Sequence, residues 1–376
     1  MKKDHHLLQK LPVDLKRLSL PEWSELFDHL AIREESKRET FKSVFYNNIT
    51  NPDLIPSLTR EERSLLRDVA VIPESKRESL IRSSDGSWKL TLRLHDGNLA
   101  ETVIIPEWAD GQLRKCSASI SSQIGCFFGC SFCATGRMGF HRNLSTGELL
   151  DQVREAELAV REELGTELTH LYFMGMGEPM HNYRAVSDAL TIMRNPEAPG
   201  PPPSRITVST VGLFRQIRML ADDHPKVRLA VSIHSADQQT RFEIMPVSAR
   251  LGLPEIRDAL AYYHRRTGNP VTIQYLLLKE VNDRPEDADK LYTYLKDLPA
   301  YITLIMYNEV SDSRNSRSEI TRMNVFRNIL EKAGLPVDVR WCYGEDIDAG
   351  CGQLNIPVQK DRVSMSMRHP AGKTAD

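Results

Sequence analysis

From Ser117 to Trp341, short apolar segments alternate with amphipathic ones, and this alternation constrains the fold more than any other feature of the chain. SASISSQI, LTHLYFM, RITVS, VRLAVSI, VTIQYLLL, YITLIMY and VDVRW read as strands. Ser145 and Glu148 form a cap for a helix ending near Gly165. Further helices fit around residues 185–193, 214–220, 254–263, 286–295 and 320–332. Strand followed by helix, repeated, implies parallel pairing with crossover helices. About six such units predict an α/β fold, a partial TIM-like barrel. Its active residues would sit at the C-terminal strand ends.

Around this core, residues 116–357, the sequence suggests three attachments. Residues 1–85 read as a small helical accessory domain, with Phe41, Val44 and Phe45 at helical spacing and a Thr59–Glu62 capping box ahead of Leu65, Leu66 and Val69. Lys37, Arg38, Lys42, Arg60, Arg63 and Arg67 could meet phosphates there, or form only a solvated helix face. Residues 86–115 read as a β-hairpin extension: SWKLTLRL alternates, Asp96-Gly97 turns, and LAETVIIP returns. The polar tail, residues 358–376, is expected to be flexible. The Pro-rich stretch 196–204 reads as a stiff loop.

Six cysteines require a chemical explanation. No apolar run approaches membrane-spanning length, and MKKDHHLLQK lacks the apolar core of a secretory signal. A cytoplasmic location is therefore expected, where structural disulfides are rare. The net charge of −2 neither favours nor excludes a nucleic-acid partner. Cys126, Cys130 and Cys133 form a CxxxCxxC pattern after a strand. Three thiolates so spaced can ligate three irons of a [4Fe-4S] cubane and leave the fourth iron open. The alternative, zinc, usually takes four ligands, and His141 is the only neighbour to complete the set. Phe127, Phe128 and Phe132 would shield a cluster from water.

Next in the series, the Gly-rich turn MGMGEP (174–179) follows a strand. Glycines let backbone approach a ligand, and Glu178 can accept hydrogen bonds from an amino group. Ser209, Ser232, His234 and Asn308 stand at strand ends, as ligand contacts or as ordinary turn caps.

The segments SSQIGCFFGCSFCATGRMGFHRNLSTGEL, FMGMGEPMHNY, RITVSTVG, LAVSIHSADQQTRFEIMPV, VTIQYLLLKEVND and GEDIDAGCGQL resemble the class A radical S-adenosylmethionine (SAM) methyltransferases, the RlmN/Cfr family, in order over about residues 95–355. The resemblance implies a radical SAM barrel with a [4Fe-4S] cluster on Cys126, Cys130 and Cys133. It implies SAM contacts at Gly177, Glu178, Ser209, Ser232, Ile233, His234 and Asn308. The implied reaction is methylation of an adenine carbon, C2 or C8, in 23S rRNA and, for some members, tRNA. Such carbons are closed to ordinary methyl transfer. One SAM therefore methylates a cysteine, matched by Cys351, and a second yields a 5′-deoxyadenosyl radical that abstracts hydrogen from the S-methyl group. Glu101 matches the base that removes the ring proton, and a second cysteine then releases the product by forming a disulfide. An electron donor such as flavodoxin, and a monomeric chain, are expected.

One departure stands out. The family's resolving cysteine falls at Ser119, and a hydroxyl cannot form a disulfide. Cys116 and Cys342 are the candidate resolving thiols. Cys116 would need a bulge to reach the face of residue 119. Otherwise the chain would be a divergent radical SAM enzyme acting on another RNA or a small molecule, or a non-catalytic iron–sulfur or zinc protein that binds RNA.

Overall fold

The computed structural model describes Leu7 and residues 11–310, 313–341 and 343–354. Cys342 and the tail 358–376 lie outside them. Within residues 1–85 are α1 (Leu20–His29), α2 (Glu34–Phe45) and α3 (Arg60–Val69), with a parallel pair of two-residue strands, β1 (Val13–Asp14) and β2 (Ala70–Val71). Trp23 stacks on Phe27 at 4.6 Å and meets Phe41 and Phe45 at 5.4 Å, so one aromatic cluster joins α1 to α2. Thr59 and Glu62 make both bonds of the expected capping box.

Residues 76–82, read from sequence within the helical part, form a strand, β3 (Lys76–Arg82). Its largely exposed edge position weakens the alternation that would have marked it. An antiparallel run continues through β4 (Trp88–Arg93), β5 (Leu99–Ala109) and β6 (Gln112–Ile120), with the β4–β5 turn at Asp96-Gly97. The segment SASISSQI is not one strand. Beyond Ile120 the backbone turns, Ser121 N–H donating to Gln152 Oε1 at 2.9 Å and Ser121 Oγ to the Glu101 carbonyl at 2.6 Å. β7 (Gln123–Gly125) then pairs with β8 (Phe140–Asn143), and α4 (Ala134–Arg137) lies between them.

The β/α series follows: α5 (Thr146–Leu164), β9 (His170–Phe173), α6 (Tyr183–Ile192), β10 (Ile206–Thr210), α7 (Phe214–Asp223), β11 (Arg228–Ser232), α8 (Gln238–Ile244), α9 (Leu253–Thr267), β12 (Val271–Leu277), α10 (Pro285–Leu295), β13 (Ala300–Met306), α11 (Ile320–Lys332) and β14 (Val337–Arg340). Among the described residues β6 and β9–β14 pair in parallel, consecutively, and β5, β4 and β3 extend the sheet beyond β6. This is the partial barrel of six β/α units that the alternation predicted. Its strands read as apolar runs because helices cover them; all five residues of β10 are buried. Lys16 ties the N-terminal part to α5 through a buried ion pair with Asp151 at 2.9 Å. Removing Asp151 would leave the Lys16 ammonium buried without a counter-charge, at a cost of about 3–5 kcal/mol, whereas Asp151 keeps Arg154 at 2.8 Å if Lys16 is removed. No helix of the described residues is long and apolar enough to cross a membrane.

Candidate active site

The three cysteines lie on the loop between β7 and α4 and at the foot of α4. The loop is held from three sides: Cys126 N–H donates to the Gly139 carbonyl at 3.0 Å, Ser131 N–H to the Ile244 carbonyl at 2.9 Å, and Ala134 N–H to the Gly352 carbonyl at 2.7 Å. Burial pushes the Cys126 thiol up to about 12, pushes Cys130 well up and raises Cys133; repulsion among the sulfurs adds to the first two. Thiolates so close and so buried are costly without a cation to bind them. The donor set therefore fits a cationic iron–sulfur group. Among the described residues no three His, Cys, Asp or Glu side chains close on a single ion; the ligands of a four-iron cluster sit on separate irons and need not do so.

Beside this loop, at the C-terminal strand ends, a chamber of about 180 Å³ is walled by Phe132 and Cys133, Gly177 and Glu178, Ser209, Ser232, His234 and Gln274. Glu178 braces it. One carboxylate oxygen accepts from Met180 N–H at 2.9 Å and the other from Val211 N–H at 2.8 Å, joining the turn after β9 to the end of β10. Burial nevertheless raises its pKa to about 7. Ser209 and Ser232 hydroxyls both donate to Gln274 Oε1, at 2.8 and 3.1 Å. His234 Nδ1 accepts from Leu276 N–H at 3.0 Å, which leaves the ring proton on Nε2, and burial holds its pKa down to about 3. The turn packs so tightly that a Cβ on Gly175 would lie 2.7 Å from Ser121 N. A confined chamber with carboxylate, hydroxyl and imidazole groups beside the thiol loop suits a small polar ligand with an amino group.

Ile233 and Asn308 are not among the chamber's wall residues. Ile233 is fully buried in the main core. Asn308 is buried against the loop that carries Cys351: its amide donates to Gln353 Oε1 at 3.4 Å, and its oxygen accepts from Arg317 Nη2 at 3.0 Å. That loop is docked. Gly344 N–H donates to Asp85 Oδ2 at 2.6 Å, and Thr135 Oγ1 to the Leu354 carbonyl at 2.6 Å. A Cβ on Gly350 would overlap Asn308 Nδ2, at 1.8 Å. Exposed Cys351 thereby borders the first chamber and also a second, of about 70 Å³, with Val103, Ile105, Ser119, Arg340 and Tyr343.

Cys116 is not brought to this chamber. The β5–β6 register runs without a break from Pro106↔Cys116 to Val103↔Ser119, so residues 116 and 119 face opposite sides. Cys116 is fully buried in the main core, and burial pushes its thiol up to about 11. Glu101 lies on the same face of β5 as Val103 and Ile105, buried, 3.3 Å from Lys89 Nζ. The cations of the helical part are largely occupied locally: Lys37 pairs with Asp28, Lys42 with Glu197 and Arg67 with Asp53, while Arg63 donates to the Ile55 carbonyl.

Sequence reading missed two contributors. Gln274 is an ordinary strand glutamine until its serine partners are known. Arg241, on the unpredicted α8, is fully buried and donates to the carbonyls of Val211 (2.5 Å), Ile233 (3.1 Å), Leu251 (3.3 Å) and Ser232 (3.5 Å). Asp237, whose side chain caps α8, was the available signal. A larger hollow of about 1200 Å³ lies among α8, α9 and α10, lined by Phe242, Arg257 and Lys290, and none of the candidate residues borders it.

Residues 120–292 match the model of the Radical SAM superfamily. The probable dual-specificity RNA methyltransferase RlmN of Christiangramia forsetii is 39% identical over 302 residues, covering 80% of this chain and 84% of that protein. The protein of the same name from Cytophaga hutchinsonii is 34% identical over 347 residues, covering 92% and 93%. The crystal structure of a radical SAM methyltransferase from Sphaerobacter thermophilus superposes with a TM-score of 0.80 at 34% identity, over 91% of this chain and 99% of that one.

Proposed function

The chain belongs to the RlmN family of radical SAM methyltransferases, and we propose that it transfers a methyl group, carried on Cys351, to a ring carbon of an RNA adenine, C2 or C8. Its cofactors are a [4Fe-4S] cluster and SAM. When bound, they supply the methyl group and the one-electron chemistry that makes a hydrogen-abstracting radical. 23S rRNA is the first substrate in this reading and tRNA the second, both met in the cytoplasm.

In this reading Cys126, Cys130 and Cys133 hold the cluster. Glu178 accepts from the amino group of SAM, and Gly177, Ser209, Ser232 and His234 surround the rest. Ile233 keeps its core position and supports the ligand-facing turn through its backbone. Asn308 positions the Cys351 loop. Cys351 loses its thiol proton and gains the methyl group. Glu101 takes the proton from the adenine carbon, with Lys89 Nζ 3.3 Å away to orient its carboxylate. The observation that supports this most is that Cys351 borders both chambers: the same sulfur can receive a methyl group on one side and present it to a base on the other.

Release of the product from Cys351 calls for a second thiol. Ser119 has none and Cys116 is sealed in the core, which leaves Cys342 as the chain's own candidate. Nucleoside analysis of 23S rRNA and tRNA treated with anaerobic iron-loaded protein, SAM and reductant tests the reading. Methyladenosine should form, Cys351→Ala should abolish it, and Cys342→Ala should limit it to one turnover. Unmodified adenosine with the wild-type protein would overturn the RNA reading.

A further inference from the structure

Four aromatic rings gather outside the barrel mouth, beside the thiol loop. Phe127 is 65% exposed and Phe140 41%. Phe127 follows Cys126, and Phe140 pairs with Gly125 across the β7–β8 ribbon, so both adjoin the site. Exposed His181 is the hub. Phe127 stacks on it nearly parallel, 5.9 Å between centroids and 19° between planes. Buried Phe128 and exposed Phe140 meet it edge-on at 5.6 and 5.7 Å. The hub is oriented from below: its Nδ1 lies 3.0 Å from Gln123 Nε2, which also donates to Asn143 Oδ1 at 2.8 Å. The Gln123 amide nitrogen is a donor only, so Nδ1 is the acceptor and the ring plane is fixed.

Folding favours burying a phenyl ring, and a contiguous exposed apolar group beside a site marks an interaction surface. The shape of this one selects its occupant. A parallel ring pair ends in a flat open face, which another flat ring continues in offset stacking. The charge agrees. No Asp or Glu occurs between Asp110 and Glu148, while Arg137 and His141 are exposed on the same loop and ribbon. Asp96, which reaches the ribbon, is paired with Arg142 at 2.6 Å, so a phosphate backbone can approach with little repulsion. We infer that Phe127 and His181, edged by Phe140, form a stacking platform for an unpaired nucleobase of the RNA substrate, flanking the nucleotide that enters the site. This rests on the RNA reading above and adds to it a point of recognition.

The test measures binding of a labelled RNA containing the peptidyl-transferase segment of 23S rRNA to full-length, iron-loaded protein at fixed salt. Wild type, Phe127→Leu, Phe127→Trp and Phe140→Leu are compared at equal iron content. Leucine keeps apolar area but has no flat face, whereas tryptophan keeps both. Stacking on one base should make Phe127→Leu weaker by about tenfold, with Phe127→Trp close to wild type. A fully paired RNA of equal length should bind all four alike. Equal affinity of wild type and Phe127→Leu overturns the platform and leaves the RNA reading standing, as does an equal loss in Phe127→Trp or with paired RNA. Failure of the wild type to bind RNA overturns both. Unchanged RNA affinity with slower reduction by a reduced flavoprotein overturns the platform and gives the patch to the electron donor.

Discussion

Ser119 on β6 and Cys351 in the loop after β14 face the same small chamber, although 232 positions separate them in the chain. An alcohol thus stands where a thiol would meet Cys351. Ser119→Cys should form a disulfide with Cys351 on mild oxidation, read by peptide mass mapping. It should also restore multiple turnovers to a Cys342→Ala protein. If the introduced thiol and Cys351 both stay reduced, the two positions are not within exchange distance in solution.

Glu178 predicts a pH dependence. Burial lifts its folded pKa to about 7, above the ordinary glutamate value of 4.5. The folded state therefore holds the proton more tightly than the unfolded chain. The stability this contributes is complete below about pH 4.5 and lost as pH rises through about 7, by about 3 kcal/mol at most. A bound cationic amino group reverses the preference by favouring the carboxylate. The melting temperature without SAM should fall from about pH 5 to about pH 8, and SAM should recover more of it at the upper end. Glu178→Gln should flatten both trends in a pH series of thermal melts. An unchanged slope in that variant would assign the dependence elsewhere.

Arg241 carries a charge into the core with four carbonyls as its hydrogen-bond partners. It acts electrostatically on Cys130, lowering the cost of a thiolate there. Arg241→Met should destabilise the fold by about 3 kcal/mol through unsatisfied carbonyls. It should also make the cluster's midpoint potential more negative, since a nearby cation favours the reduced cluster. Arg241→Lys should return the potential towards wild type with only part of the stability. Redox titration followed by electron paramagnetic resonance checks this; a folded Met variant with an unshifted potential would contradict it.

Gly350 is the close approach that seats the Cys351 loop. Gly350→Ala would drive a methyl group into the Asn308 amide. Methyl transfer should fall by about tenfold or more, the scale of a misplacement near 1 Å, while iron content stays the same. Normal transfer by this variant would mean that the loop's docked position is not the working one.

Much of this was legible in the sequence for physical reasons. The strands of the β/α series carry their own apolar runs, and Ser145 and Thr59 announce their helices by side-chain chemistry that needs no tertiary partner. The cysteine trio is local, so its spacing alone put the three thiols on one loop. What could not be read depends on distant contacts. Whether residues 116 and 119 shared a face turned on the absence of a bulge, which only the pairing with β5 decides. Asn308 stands at a strand end, and its bonds to Gln353, 45 positions away, and to Arg317 lie outside any local pattern. Arg241 and Gln274 gain meaning only from groups on other strands. For Lys37, Lys42 and Arg67, the choice between phosphate contact and a solvated face turned on Asp28, Glu197 and Asp53, which spacing did not mark as partners.

Cys351 as the carrier of the methyl group can be followed directly. Iron-loaded protein can be incubated with SAM bearing a deuterated methyl group and its peptides mapped by mass, before and after RNA and reductant are added. A labelled methyl should appear on Cys351 and be depleted as label accumulates on an adenine carbon. A protein that labels RNA while Cys351 never carries the label would contradict it.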